Sequence, residues 1–319
     1  IEVNSGIGET VEDVRRDLRN KIDAVEKVAD ELGTALYWSG SHPFSLWRDQ
    51  QPTHNERYAR LLDSLQDIGR QLVTFGLHVH VGVDSGDKAV MICDRIMRYL
   101  PLFIALSCNS PWWNNRLTGL HSNRSKVMEG LPTAGLPSLM RNWSEYVWLV
   151  NHMIETCFIN SIRDLWWDVR PHPTFGTLEF RVCDVPTRPE TAVMLAALTQ
   201  AIVVKLHRLY TRNMSYRLYR KALIEENKWR AARYGLDGRL IDFGRRTEVP
   251  MRELALELLE FVDDVLDPLG SREAVNHVHA ILRDGTSADR QLAVYRETGD
   301  MKAVMRHLIE ETRTAVERV

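Results

Sequence analysis

Thr177-Leu178-Glu179-Phe180-Arg181-Val182 decides the fold of this chain, because apolar and polar side chains alternate along it without a break. A strand sends successive side chains to opposite faces. Leu178, Phe180 and Val182 therefore define one face, and Glu179 and Arg181 the other. Two further stretches repeat the pattern. In Leu77-His78-Val79-His80-Val81-Gly82-Val83 both histidines share a face with Gly82, opposite the leucine and valines. In Trp166-Trp167-Asp168-Val169-Arg170, Asp168 and Arg170 share a face with Trp166. One-sided alternation is the mark of an antiparallel sheet whose second face meets water. Histidine, aspartate, glutamate and arginine together are nevertheless an unusual set for a merely solvated face.

Outward from these strands, residues 10–33 predict an amphipathic helix with Thr10 as its cap and Asp13 at the capping-box position. A short strand is expected over Thr34 to Ser39, ahead of the loop Gly40-Ser41-His42-Pro43-Phe44, and a helix over 54–74. Lys88 to Ser107 reads as a buried helix interrupted near Pro101. Residues 109–142 are rich in Gly, Pro, Asn and Ser, a length of loop that is usually functional. A helix near 143–163 leads to strands at about 165–170 and 175–184, joined by Pro171-His172-Pro173. After Pro189 the pattern is helical throughout, over about 189–213, 215–234, 251–267, 271–283, 287–297 and 299–318. The fold class is α+β with a helical C-terminal half, and residues 1–319 read as a single domain.

The 319 residues carry a net charge of −2, so no global basic field favours nucleic acid. No apolar run approaches the ~18 residues of a membrane span. Cys93, Cys108, Cys157 and Cys183 are widely spaced and read as reduced core thiols, which places the chain in the cytoplasm. It opens abruptly on Ile1-Glu2-Val3-Asn4, a strand-like fragment, and a preceding segment is expected.

Neutral imidazoles and carboxylates hold divalent metals, and arginines grip phosphate or carboxylate through paired hydrogen bonds. A face with both suits phosphoryl transfer, where positioning and charge neutralisation supply most of the catalysis. An HxH pair by itself favours Zn²⁺ over Mg²⁺, so a metallohydrolase built on His78 and His80 stays open at this point. A second candidate is the helix stripe Asn227, Arg230 and Arg233, in a region made basic by Arg208, Arg212, Arg217 and Arg220. It reads either as a solvated helix face or as a clamp for polyphosphate or a substrate carboxylate, with RNA binding only weakly supported. His42, before a proline, reads more readily as a turn residue than as a ligand, and Trp112, Trp113, Trp143, Trp166 and Trp167 as packing groups.

Ser41-His42-Pro43-Phe44, Asn55-Glu56-Arg57-Tyr58, His78-Val79-His80-Val81-Gly82, Phe103-Ile104-Ala105-Leu106-Ser107 with Ser110-Pro111, Asp168-Val169-Arg170-Pro171, Phe175 to Asp184, and Arg233-Tyr234-Gly235-Leu236 follow one another in this order. That series resembles the YbdK-like carboxylate–amine ligases, also called glutamate–cysteine ligase type 2, over essentially the whole chain. The resemblance implies the glutamine synthetase-like catalytic fold, a curved antiparallel sheet with helices on its outer side and the active site on its concave face. It also implies the reaction: ATP phosphorylates the γ-carboxylate of glutamate, and an amine, typically that of cysteine, attacks the acyl phosphate. Mg²⁺ is the implied metal, with Mn²⁺ as an alternative, and a homodimer the expected assembly, with neither nucleic acid nor membrane as partner. By the resemblance Glu179 and His78 match metal ligands, with Glu2 as a further ligand or substrate contact. Arg181 matches the arginine on the transferring phosphoryl group, and His80 would lie against the nucleotide phosphates. Arg170, Asn227 and Arg230 join His80 as candidate nucleotide-binding residues, and Arg233 joins Arg181 as a candidate catalytic one. One departure stands out. The family's first strand carries a Gly-Ile-Glu-Leu-Glu-like pair of carboxylates, which has no counterpart before Ile1. A catalytically weak binder of ATP or an amino acid on the same fold is the remaining alternative.

Overall fold

The computed structural model of the protein describes residues 1–214 and 217–316. Helix α1 (Val11–Glu31) starts at the predicted box. The Thr10 hydroxyl accepts from the Asp13 N–H at 3.2 Å, and the Asp13 carboxylate accepts from the Thr10 N–H at 3.0 Å. The expected strand over Thr34 to Ser39 does not form. Its groups find partners at Asn109 instead, whose carbonyl accepts from Gly40 N–H and Ser39 Oγ, both at 2.8 Å. Helix α2 (Glu56–Arg70), capped by Asn55, is shorter than 54–74 and breaks at Gln66, a non-glycine with φ of 49°.

Strand β1 (Gly76–Gly82) follows, then α3 (Gly86–Ile96), a single tight turn over Met97–Tyr99, and α4 (Leu100–Ser107). The interruption expected at Pro101 falls just ahead of it. Pro101 sits in the first turn of α4, where a missing N–H leaves no hydrogen bond unmade. The loop 109–142 carries the two-residue strands β2 (Trp112–Trp113) and β3 (Arg116–Leu117) and the short helix α5 (Asn123–Met128). Next come α6 (Trp143–Glu155), β4 (Val169–His172), β5 (Thr177–Asp184) and α7 (Pro189–Thr211).

The helix expected from 215 begins later, as α8 (Lys221–Tyr234), with Ser215 and Tyr216 outside the described residues. A hairpin interrupts the helical series: β6 (Arg239–Asp242) pairs antiparallel with β7 (Thr247–Pro250). Its turn is set by the Asp242 carboxylate, which accepts from the N–H groups of Gly244 at 2.8 Å and Arg245 at 3.0 Å. The chain ends on α9 (Met251–Leu266), α10 (Arg272–Asp284), α11 (Ser287–Thr298) and α12 (Met301–Val316). The last residues of the expected helix 299–318 lie outside the described residues.

Strand order in the sheet is β1-β5-β4, antiparallel throughout, with β5 in the middle. The apolar face does as its alternation predicts. Val169, Leu178, Phe180 and Val182 are buried, and Leu77, Val79 and Val81 pack against the same core, which draws on α3, α4, α7 and α9. Contrary to the sequence reading, one helix, α7, is long and apolar enough to cross a membrane; here its Val193, Met194, Leu198 and Ile202 are buried in that core. The architecture is α+β, as expected.

The 109–142 segment is pinned to the end of β5 by a buried hub. Asp184, 1% exposed, accepts from Asn109 N–H at 2.9 Å, Ser110 Oγ at 2.7 Å and Ser122 Oγ at 2.9 Å. Arg124 lies 3.9 Å from it and donates to the Val182 and Arg181 carbonyls at 3.3 and 3.1 Å. Burial pushes the Asp184 carboxyl above its usual range, and the Arg124 charge and the three donors only partly counter this. Gly76 leaves room for Arg124: a Cβ there would fall within contact distance of the guanidinium. Gly76→Ala is therefore expected to destabilise the fold by about 1–3 kcal/mol through overpacking, read as a lowered chemical-denaturation midpoint at unchanged slope.

Candidate active site

The register of the sheet assembles one polar face from three strands. His80 lies opposite Glu179, and Glu179 opposite Arg170; one step along, Gly82 lies opposite Thr177, and Thr177 opposite His172. Arg181 N–H donates to the Asp168 carbonyl at 2.8 Å, which extends the pairing by one residue in the other direction.

Glu179 is the centre of this face and is only 2% exposed. Arg170 Nε donates to its Oε2 at 2.6 Å, and Arg181 Nη1 to its Oε1 at 2.5 Å. His80 Nε2 and His78 Nδ1 approach the same Oε1, at 3.7 and 3.9 Å. Burial pushes the Glu179 carboxyl up, but the charges and hydrogen bonds of Arg181 and Arg170 outweigh it and hold the group at about 2. Both histidines are lowered as well, but with burial as the cause. Burial, reinforced for His78 by Arg181 and Arg124, lowers them below the usual imidazole range despite the opposing pull of Glu179. The face thus presents an ionised carboxylate between two guanidiniums and beside two neutral imidazoles.

Arg181 keeps part of its side chain exposed, at 16%, beyond the bond to Glu179, while its Nε is buried without a hydrogen-bond partner. Arg170 is committed elsewhere. Beyond Glu179, it donates through Nη1 to the Ile162 and Leu165 carbonyls at 2.7 and 2.6 Å and is 4% exposed. It braces Glu179 from behind rather than facing a nucleotide.

The stripe Asn227, Arg230 and Arg233 is not brought to this face. Asn227 donates to the Ile241 carbonyl at 2.9 Å and accepts from its N–H at 2.8 Å, tying α8 to the hairpin. Arg230 is neutralised by Glu226 at 2.7 Å and Glu248 at 2.6 Å. Arg233 stacks on the Tyr234 ring, 4.9 Å from its centroid. The residue of α8 that does reach the sheet is Lys228, one position off the stripe. It is 2% exposed, and its Nζ lies 2.5 Å from Asp168 Oδ2 and 3.0 Å from Glu129 Oε1. Burial lowers the Lys228 pKa, but Asp168 and Glu129 outweigh it and hold the ammonium above its ordinary range. Sequence reasoning missed this residue, although a signal existed: Lys228 shares the buried stripe of Ile224, Ala231 and Ala232, where a lone charge requires a partner.

Glu2 is exposed in the N-terminal coil, whose contacts run to α1 through Lys21 with the Asn4 carbonyl at 2.8 Å and Asp17 with the Gly6 N–H at 2.5 Å. Among the described residues no three His, Cys, Asp or Glu side chains converge as a metal-holding group. The trio Glu179, His78 and Glu2 is thus not assembled, because both oxygens of Glu179 already face arginines. His42 is a turn residue, its Nδ1 accepting from the N–H groups of Phe44 and Ser45 at 3.3 and 3.0 Å. His172 and Phe175 do belong to the face and were not singled out by sequence. The signal for His172 was alternation continued two residues past Arg170.

A sequence model of glutamate–cysteine ligase family 2 matches residues 1–307. A relative from Solibacter usitatus, named glutamate–cysteine ligase 2 as an unproven assignment, is 44% identical over 312 residues, covering 98% of this chain and 81% of its own. A relative of the same name from Herpetosiphon aurantiacus is 44% identical over 316 residues, covering 99% and 82%. Among solved structures, a glutamate–cysteine ligase from Francisella tularensis in complex with AMP matches 82% of this chain and 61% of its own at a TM-score of 0.52. At 14% identity that likeness concerns the fold alone.

Replacing Glu179 by glutamine leaves two buried guanidiniums without their counter-charge, and Glu179→Gln is expected to cost about 3–5 kcal/mol of stability. The pH dependence follows from the depressed carboxyl, near 2 against an ordinary 4.5. Its contribution is complete above about pH 5 and is lost as pH falls toward 2. Urea denaturation across pH 2–7 should show that acid loss in the parent protein and a flatter profile in Glu179→Gln.

Proposed function

This chain belongs to glutamate–cysteine ligase family 2, and we propose that it is an ATP- and Mg²⁺-dependent carboxylate–amine ligase that activates glutamate as γ-glutamyl phosphate. A γ-carboxylate oxygen attacks the terminal phosphorus of ATP, the bond to the bridging oxygen breaks, and ADP departs. An amine such as that of cysteine then attacks the acyl carbon. The C–N bond forms, phosphate leaves with the C–O electron pair, and the nitrogen releases its proton to solvent.

The observation that carries this reading is the buried Glu179–Arg181 pair beside two half-buried neutral histidines on the polar face of one sheet. Arg181 would hold the transferring phosphoryl group through the part of its guanidinium that stays exposed beyond the bond to Glu179. Glu179 and Arg170 would keep that guanidinium aimed, and neutral His78 and His80 would accept neighbouring phosphates without repelling the Arg181 charge. Mg²⁺ is commonly held by one or two carboxylates together with substrate phosphates; here both Glu179 oxygens already meet arginines, so the described residues do not by themselves form that site, and the Mg²⁺ dependence rests on the family resemblance. An ATP-consuming enzyme whose four cysteines are all free suits the reducing cytoplasm.

With ATP, Mg²⁺ and glutamate, phosphate release is expected to require an amine, and hydroxylamine should yield a hydroxamate. Arg181→Met should lower that rate about 10²–10³-fold, whereas Arg230→Met, on the hairpin brace, should stay within about threefold of the parent. Absence of nucleotide turnover with any amino acid and amine pair would sink the ligase reading.

A further inference from the structure

We propose that Phe175 and His172 form an aromatic platform for the purine base of the nucleotide, lying over the side-chain-free shelf at Gly82 on the polar face; this rests on the ligase reading above and names where its base would lie. The shelf occupies the end of the sheet away from Lys228. Gly82, Thr177 and His172 stand side by side there, and the space a Cβ would take at Gly82 is open. Phe175 is 66% exposed. It is not a loose surface ring, however: it stacks on His172 with centroids 4.4 Å apart and planes 9° from parallel. His80 meets both rings edge-on, at 5.7 and 5.8 Å, and is itself held by Thr177 Oγ1, 2.9 Å from its Nδ1. The turn is fixed by Phe175 N–H donating to the His172 carbonyl at 3.2 Å and by Val83 N–H donating to Gly176 at 2.9 Å.

An ordered aromatic face left open to water, next to an empty floor, is suited to a flat π-system. Of the reactants in the ligase reading, glutamate and a simple amine have no π-face, whereas ATP carries a purine. The spacing agrees. Four residue steps along β5 take Thr177 to Arg181, about 13 Å at the rise of a strand, so the phosphate chain would run along the face from the shelf toward Arg181.

The test compares AMP with ribose 5-phosphate by titration calorimetry on the full chain. The parent protein should bind AMP more tightly. Phe175→Ala should weaken AMP by about 5- to 150-fold, the range for loss of one base–aromatic stack, and leave ribose 5-phosphate unchanged. Phe175→Trp should retain AMP affinity, and Gly82→Val, which fills the shelf from the opposite strand, should weaken AMP alone. Equal affinity of the parent for the two ligands, or Phe175→Ala binding AMP as the parent does, would overturn the platform. If the parent releases phosphate with glutamate while Phe175→Ala leaves AMP affinity intact, the platform fails and the ligase reading stands. If AMP binding depends on Phe175 but no amino acid supports turnover, the platform stands and the ligase reading fails.

Discussion

A carboxylate buried between two arginines organises this molecule. Removing Glu179 from water is costly, and the mutual attraction of a buried pair recovers that cost only when the geometry is good and the remaining hydrogen bonds are made. Here the geometry comes from the sheet. Glu179 lies on the central strand, so Arg170 reaches it from β4 and Arg181 from two residues along its own strand. The Arg170 guanidinium could not be placed there without β4 in register. The ion triad therefore reports correct sheet assembly, and a one-residue slip would send Glu179 into the apolar core and Phe180 into water.

The same face owes its border to a different buried network. Asp184 ends β5 and gathers Asn109, Ser110 and Ser122 around itself, so a loop of more than thirty residues is fixed at its base. Arg124, drawn in by that carboxylate, also contributes positive charge that lowers the His78 pKa. Two features that look unrelated in sequence, a Gly/Ser-rich loop and a histidine strand, are thus coupled through one aspartate. Gly40 belongs to this arrangement as well, since a side chain there would collide with Asp184 and Ser110.

What was legible in the sequence follows from the range of each signal. Alternation is local and strong, so the β1 and β5 faces and the roles of Glu179 and Arg181 as neighbours could be read directly. Capping is local too, and Thr10 with Asp13 behaved as predicted. The helix stripe on α8 failed for a physical reason. Residues 227, 230 and 233 do share a side, but which side faces the sheet depends on packing at Ile224, Ala231 and Ala232, and that packing turns Lys228 inward instead. The segment 34–39 failed because strand propensity cannot foresee that Asn109, some seventy residues on, takes up the Trp38 carbonyl and the Ser39 hydroxyl. The hairpin at β6 and β7 went unread because its strands are only four residues each and its turn rests on a single aspartate.

Charge along the face is graded. At one end Lys228 pairs with Asp168 and Glu129, and Lys126 adds the second positive charge at Glu129. Asp168, whose carbonyl pairs with the Arg181 N–H, has its carboxylate held by the lysine, and the Arg181 Nε has no protein partner. In the middle two arginines share one carboxylate, which leaves one positive charge in excess, with the histidines uncharged. At the far end Gly82, Thr177 and Phe175 carry no charge at all. A polar, elongated ligand meeting this surface would find donors at the Arg181 end and only uncharged or aromatic groups at the other. The sheet thus defines a direction as well as a location, and that direction follows from which of its cations already have partners.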